Sequence, residues 1–140
     1  MKETFCAICG VIGSALVHFL GGIDDVFIAL CVFMVVDYAT GIVVALVFKN
    51  SPKTESGTLN SKASLQGLFK KLFMLILVGV AHTLDMVLGV CFVRSGVVVA
   101  FIANETISIV ENAGLMGVPI PRVITEAIEL LNDGGKKDAK

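Results

Sequence analysis

The sequence predicts an all-α integral membrane protein, and the prediction rests on the composition, the length of the apolar stretches and the charge of the loops. Hydrophobic residues make up 56% of the 140 residues and charged residues 16%, against roughly 45–50% and about 25% in soluble domains. A soluble domain of this size leaves about a third of its unfolded surface in water. This chain, with a mean hydropathy of +0.90, has too little polar material to cover such a surface.

The same composition excludes several other classes of protein. The net charge of −1 and the pI near 6.1 provide no field that would attract a nucleic-acid backbone. The apolar content excludes an intrinsically disordered chain. Four cysteines in 140 residues are too few for a secreted disulfide scaffold. A lipid bilayer is the remaining environment.

Four apolar stretches approach the ~20 residues that a helix needs to cross a hydrocarbon core of roughly 30 Å. The sequence predicts transmembrane helices over 5–23, 26–48 and 72–93. The fourth stretch, 95–118, is long enough but carries several polar residues. It is predicted as a helix that either spans the membrane or lies at the interface.

A single aspartate, Asp37, lies near the middle of the second predicted span. A central Asp costs about 2.5–3.5 kcal/mol on insertion, whereas each Leu, Ile, Phe or Val returns roughly 0.3–0.6 kcal/mol. Residues 26–48 contain fourteen such apolar residues, whose sum of about 4–8 kcal/mol outweighs the aspartate. The span is therefore predicted to insert with Asp37 inside it.

The loop 49–71 is predicted to be cytoplasmic, because it holds five lysines and one glutamate and short lysine-rich loops stay on that side. This places the N-terminus in the cytoplasm and Asp24-Asp25 and Arg94 outside. The side of the C-terminus depends on whether 95–118 crosses. Beyond the Pro119-Ile120-Pro121 stop, a short amphipathic helix is predicted over 121–132. The whole chain, 1–140, is predicted to form one membrane domain.

Each span carries a narrow stripe of small or polar residues on an otherwise apolar surface. In lipid, such stripes mark the faces on which helices pack closely. The residues predicted for helix packing are Gly10, Ser14, His18, Gly22, Ala45, Gly79 and Gly89.

Ionisable residues at membrane depth are costly and face a partner or water. Asp37 shares its helix face with Thr40 and Gly41, and its predicted partners are His18, His82 or a water-filled path. His82 and Asp85 lie three residues apart on one helix and can meet directly. Such a pair is either part of a proton relay or internally satisfied.

The fourth stretch carries its polar residues on one helical face. Two glutamates and two asparagines facing lipid would be prohibitive. The face is therefore predicted either to line the lumen of an oligomeric pore or to lie in the headgroup region as part of a flat interfacial helix. Its residues are Asn104, Glu105, Ser108, Glu111 and Asn112.

The sequence gives no sign of enzymatic chemistry, of a cofactor or of a metal site. Cys6 and Cys9 form a CxxC within an apolar span, without a second pair. Neither a nucleophile elbow nor a phosphate loop occurs. His18 and His82 lack the neighbours of a zinc site.

Three segments resemble the toxin-secretion and phage-lysis holin family. Residues 37–41 (Asp-Tyr-Ala-Thr-Gly) are similar to a signature of that family. The polar loop with Ser-Lys at 61–62 and Gly-Leu-Phe-Lys-Lys at 67–71, leading into a span with Asp85, resembles it as well. So does 103–112 (Ala-Asn-Glu-Thr-Ile-Ser-Ile-Val-Glu-Asn) with its Pro-Ile-Pro stop. The resemblance covers about 37–131.

This resemblance implies a phage- or prophage-encoded protein of the bacterial cytoplasmic membrane, without enzymatic activity or cofactor. Holins assemble as homo-oligomers and open lesions that release endolysin or, in clostridial relatives, large toxins. Two alternatives stay open from the residues alone. One is a small proton-coupled transporter that uses Asp37, His82 and Asp85, and the other is a structural membrane subunit that does not permeabilise the membrane.

Overall fold

The computed structural model describes residues 1–137, with side chains as far as residue 130, and this part contains helices and no strands. The prediction of an all-α membrane protein is confirmed, because four helices are long and apolar enough to span a bilayer. Residues 138–140, part of the predicted single domain, lie outside the described residues. The helices are α1 (Lys2–Phe19), α2 (Asp25–Val43, continued by a π-helical turn Val44–Phe48), α3 (Ser61–Leu88), α4 (Val93–Leu115) and α5 (Arg122–Lys137).

Several helices extend beyond the predicted spans. α3 begins at Ser61, so its first turns occupy half of the stretch predicted as loop 49–71, and the connecting loop is 49–60. Hydropathy marks only the part of a helix that lies in hydrocarbon, whereas the helix itself continues to a cap. Here the Asn60 side chain accepts a hydrogen bond from the Lys62 backbone N–H at 2.9 Å.

α5 also runs further than predicted, to Lys137. The sequence predicts an end near residue 132, just before the Gly134-Gly135 pair. Glycine ends a helix where it adopts a left-handed conformation, and otherwise costs only about 1 kcal/mol relative to alanine inside a helix. Here the helix continues through both glycines.

The core lies between α2, α3 and α4. Leu30, Val78 and Val98, one residue from each of these helices, are fully buried. Phe27 and Met34 of α2 extend the same cluster. α1 contributes no buried residue, so three helices form the packed body and the first helix lies at its edge.

The outer surface of the helices is apolar. Val35 of α2 is 68% exposed and Val87 of α3 is 76% exposed. Soluble monomers rarely expose contiguous apolar patches larger than a few hundred Å². The surface of this bundle is therefore of the kind that lipid covers.

Candidate functional site

Four polar side chains inside the bundle form one buried group, the Lys71 cluster: Asp37 of α2, Lys71 of α3, and Glu105 and Asn112 of α4. Lys71 Nζ donates to Asp37 Oδ2 at 2.8 Å and also forms an ion pair with the Glu105 carboxylate. The Asp37, Lys71 and Glu105 side chains are only 8%, 14% and 3% exposed. One ammonium group therefore serves two carboxylates from two other helices.

Asn112 joins α4 to α2 on the other side of Asp37. Asn112 Nδ2 lies 3.2 Å from Asp37 Oδ1 and 2.9 Å from Thr40 Oγ1. The Thr40 hydroxyl in turn donates to the Asp37 backbone carbonyl at 3.0 Å. Gly41 lies on the same face, where an added Cβ would be 3.8 Å from Asn112 Nδ2. Both oxygens of the Asp37 carboxylate thus have partners within the chain.

The charges of the Lys71 cluster do not cancel, because two carboxylates share one ammonium. Removing ions from water costs several kcal/mol each, and their attraction repays this cost only when the geometry is good. Such a group adds little net stability, yet the loss of one member leaves a buried charge without its partner. The cluster is therefore a sensitive point in the contact between α2, α3 and α4.

A cavity of about 160 Å³ lies beside the Lys71 cluster. Its walls include Lys71 and Glu105, Asn104 and Ser108 of α4, and residues 51–54 of the connecting loop. This volume is large enough for several water molecules, and its walls supply the polar partners that ordered water needs. The cavity therefore gives water a route from the loop to the buried charges.

A second polar group, the Arg94 cluster, lies where α2 and α4 begin and consists of Arg94 with Asp24. Arg94 donates from Nε to the Leu20 carbonyl at 2.7 Å, from Nη2 to the Gly22 carbonyl at 3.0 Å and from Nη1 to Asp24 Oδ2 at 2.7 Å. Its guanidinium carbon is also 5.9 Å from the Phe27 ring centroid. Arg94 therefore fastens the α1–α2 turn to the start of α4.

The Arg94 guanidinium holds the pKa of Asp24 below its ordinary value, and the hydrogen bond from the Phe27 backbone N–H lowers the pKa of this carboxyl further. The same Phe27 bond, 2.9 Å long, caps the N-terminus of α2. Asp24 thus has two functions, as the helix cap of α2 and as the anionic partner of Arg94.

Asp85 is a helix cap. Its two carboxylate oxygens accept hydrogen bonds from the backbone N–H groups of Val93 and Arg94, each at 2.9 Å. These N–H groups open α4 and have no partner inside the helix. Among the described residues, no hydrogen bond connects Asp85 with His82 or with Asp37.

Neither histidine is the partner of Asp37. The carboxylate is occupied by Lys71 and Asn112. His18 is exposed near the end of α1. His82 lies against the α1–α2 turn, where its Nδ1 would be 2.6 Å from a Cβ on Gly21.

The polar residues of α4, predicted as one face, divide between two sides of the helix. Glu105 and Asn112 are buried against α2 and α3, and Ser108 between them is half-buried. Asn104 and Glu111 are exposed. The two residues of each pair, Glu105 with Asn112 and Asn104 with Glu111, are seven positions apart and so lie along one line on the helix surface. The two lines are about 100° apart around the helix axis. α4 packs against α2 through Val98 and Asn112 and against α3 through Glu105, and so lies alongside both helices, which does not fit the predicted flat alternative.

The predicted packing residues have different positions. Gly79 faces Phe19 so closely that a Cβ would overlap the ring, so it is the contact point between α1 and α3. Ala45 is buried in the π-helical turn. Gly22 belongs to the α1–α2 turn, and Gly89 ends α3 in the left-handed conformation.

The small-residue stripe of α1 is not packed against the rest of the described residues. Gly10 has open space beside it, and Ser14 and His18 are exposed. Cys6 and Cys9 are exposed free thiols on the same helix. The α1 stripe therefore faces away from the rest of the subunit.

Three residues of these clusters are not among the predicted site residues: Lys71, Arg94 and Asp24. Each lies at the edge of an apolar span, in a segment predicted as a loop or link. A charge count provides the signal that could have identified them. Each buried aspartate needs a cation or amide partner. Lys71 directly precedes the third predicted span, 72–93, and Arg94 directly follows it.

Comparison with known proteins gives a consistent set of relatives. A model of the bacteriophage holin family matches residues 14–133. A protein of Halalkalibacterium halodurans is 37% identical over 131 residues, covering 89% of this chain and 91% of the relative. A 14.9 kDa protein of Clostridium perfringens is 34% identical, covering 87% and 88%. A probable holin of Bacillus phage phi105 is 32% identical, covering 78% and 76%. No solved structure matches.

Proposed function

The chain belongs to the bacteriophage holin family, and we propose that it acts as a holin. In this proposal it accumulates in the bacterial cytoplasmic membrane as a homo-oligomer and opens lesions through which endolysin reaches the cell wall. Large toxins are the other cargo that fits such a lesion. The lysine-bearing loop 49–60 and the start of α3 are proposed to face the cytoplasm, which places both termini there when all four helices cross.

The exposed polar side of α4 is the observation that carries this proposal. Asn104, halfway along Val93–Leu115 and in the wall of the cavity, and Glu111 are both exposed. A glutamate and an asparagine on a spanning helix need water or another protein as a neighbour. A second copy of the chain supplies that neighbour, and several copies arranged with these sides inward enclose a polar lumen.

In this proposal the Lys71 cluster holds the single subunit closed. While Lys71 pairs with Asp37 and Glu105, the strongest polar groups stay inside the bundle and the outer surface remains apolar. Water entering through the adjacent cavity competes for these ion pairs. Separation of α4 from α2 then adds Glu105 and Asn112 to the polar surface that faces neighbouring copies.

Timed lysis tests the proposal. Expression in a bacterium that also makes an endolysin is expected to stop growth abruptly after a delay and to release a cytoplasmic enzyme. Asp37→Asn weakens the ion pair that keeps the subunit closed and is expected to advance lysis. Glu111→Gln weakens the polar side between subunits and is expected to delay it. The control is Asp25→Asn, an exposed carboxylate at the start of α2.

Other outcomes identify the alternatives. Unchanged lysis times for both variants at equal protein levels would reject the assigned roles. Growth without any permeabilisation would indicate a structural subunit. Flux of a small solute that depends on pH, without enzyme release, would indicate a transporter.

A further inference from the structure

The last helix, α5, has a strongly two-sided surface, and the part of the chain that the structure describes leaves most of it exposed. At 100° per residue, its first turns place the apolar side chains on one side and the charged ones on the other. Val123 and Ile124 on the apolar side are 76% and 39% exposed. Glu126 and Glu129 lie on the charged side and are exposed as well.

The start of α5 is held close to the end of α4. Gly117 adopts a positive φ of 79°, and the Val118 backbone N–H donates back to the Ala113 carbonyl at 3.0 Å, which closes α4 as in a Schellman motif. Ile120 folds onto the last turn, where its Cδ1 would be 3.3 Å from a Cβ on Gly114. Because α4 is a membrane-spanning helix that ends at Leu115, α5 begins at the bilayer boundary.

We propose that α5 lies flat on the membrane, with the Val123 and Ile124 side in the boundary between headgroups and acyl chains and the Glu126 and Glu129 side in water. This inference needs the spanning α4 but not lesion formation. The apolar side of α5 contacts lipid, because the fixed start of the helix places that side at the bilayer boundary, where the apolar surface of the bundle ends.

Two features of α5 distinguish lipid from other occupants. The helix has 16 residues, little more than two heptads, whereas pairing with a second copy as a coiled coil needs at least about three. Its charges also balance, so attachment depends on apolar burial and not on anionic lipid. The balancing residues are Arg122, Lys136 and Lys137 against Glu126, Glu129 and Asp133.

The absence of tryptophan from the chain allows a direct test with single-tryptophan variants of the full-length protein in lipid vesicles. Val123→Trp reports on the apolar side and Glu129→Trp on the charged side. Brominated lipid is expected to quench the fluorescence at position 123 several-fold more than at position 129, and acrylamide is expected to do the opposite. Vesicles with and without anionic lipid are expected to give the same result.

Each other outcome overturns the proposal. Strong acrylamide quenching at both positions would place α5 in water. Protection of position 123 from acrylamide without quenching by brominated lipid would show that a protein surface covers it. A marked dependence on anionic lipid would show attachment by charge. Ile124→Trp and Glu126→Trp form a second pair, which keeps the test decisive should a variant of the first pair fail to fold.

Discussion

Asn112 of α4 and Asp37 of α2 are 75 positions apart in the chain, yet the Asn112 amide nitrogen lies 3.2 Å from Asp37 Oδ1. The other oxygen, Oδ2, receives Lys71 of α3 at 2.8 Å. The two oxygens of one carboxylate thus bind two different helices. In this way, one short aspartate side chain inside an apolar span sets the mutual position of α2, α3 and α4, the three helices of the packed body.

Replacement of Asn112 by leucine is expected to destabilise the bundle by about 1–3 kcal/mol, because it leaves Asp37 Oδ1 buried without a donor. The measurement is the free energy of unfolding in detergent or nanodiscs. The matched control is Asn104→Leu, an exposed position on the same helix, with an expected change within about 0.5 kcal/mol. Equal losses for the two variants would contradict the assigned role of Asn112.

Replacement of Lys71 by methionine is expected to have a larger effect, about 3–5 kcal/mol, because it removes the cation from a buried ion pair. Combination with Asp37→Asn and Glu105→Gln, which removes both charges, is expected to restore most of this loss. Lys70→Met serves as the control, since the neighbouring lysine is exposed. If the combined variant were as unstable as Lys71→Met alone, charge would not be the cause.

The sequence was sufficient to predict the helices, because lipid requires long apolar stretches and tolerates few exceptions. It also indicated that Asp37, Glu105 and Asn112 are not exposed to lipid. The partners were beyond its reach for a physical reason. Lys71 immediately precedes the apolar part of α3, so hydropathy treats it as a loop charge, and only the packing of α3 against α2 brings its Nζ to Asp37.

The division of the α4 face also required the structure. Asn104, Glu105 and Ser108 are close enough on a helical wheel to form one polar face. Whether a line of residues is buried depends on how the helix is rotated against its neighbours, and α4 turns Glu105 inward and Asn104 outward. A single sequence contains the spacing of these residues but not that rotation.

Acidification is expected to weaken the attachment of the α1–α2 turn to α4. Because Arg94 lowers the pKa of Asp24 below its ordinary value of 3.8, this carboxylate contributes stability above that value. The contribution is lost as the pH falls through the lower pKa of the folded state. The free energy of unfolding of Asp24→Asn is therefore expected to fall less than that of the unaltered protein between about pH 6 and pH 3.

The control for this titration is Asp25→Asn, which removes an exposed carboxylate beside the Asp24 cap and leaves the Arg94 contacts in place. This variant is expected to keep the pH dependence of the unaltered protein. Identical pH dependence for Asp24→Asn and the unaltered protein would show that the ion pair with Arg94 contributes nothing to stability.

Replacement of Gly21 by alanine is expected to disrupt the α1–α2 turn. Gly21 has a φ of 79°, which costs an L-residue roughly 1–2 kcal/mol. Its new Cβ would also be 2.6 Å from His82 Nδ1 and 2.8 Å from Arg94 Cδ, so Arg94 must shift from the carbonyls that it binds. A loss of at least about 2 kcal/mol in the free energy of unfolding is expected.

Gly10→Ala is the matched control, because a Cβ at this position inside a helix meets open space. This substitution is expected to leave stability unchanged or to raise it by up to about 1 kcal/mol. If both substitutions had the same effect, the turn would not depend on the close approach of Arg94 and His82 to the Gly21 backbone.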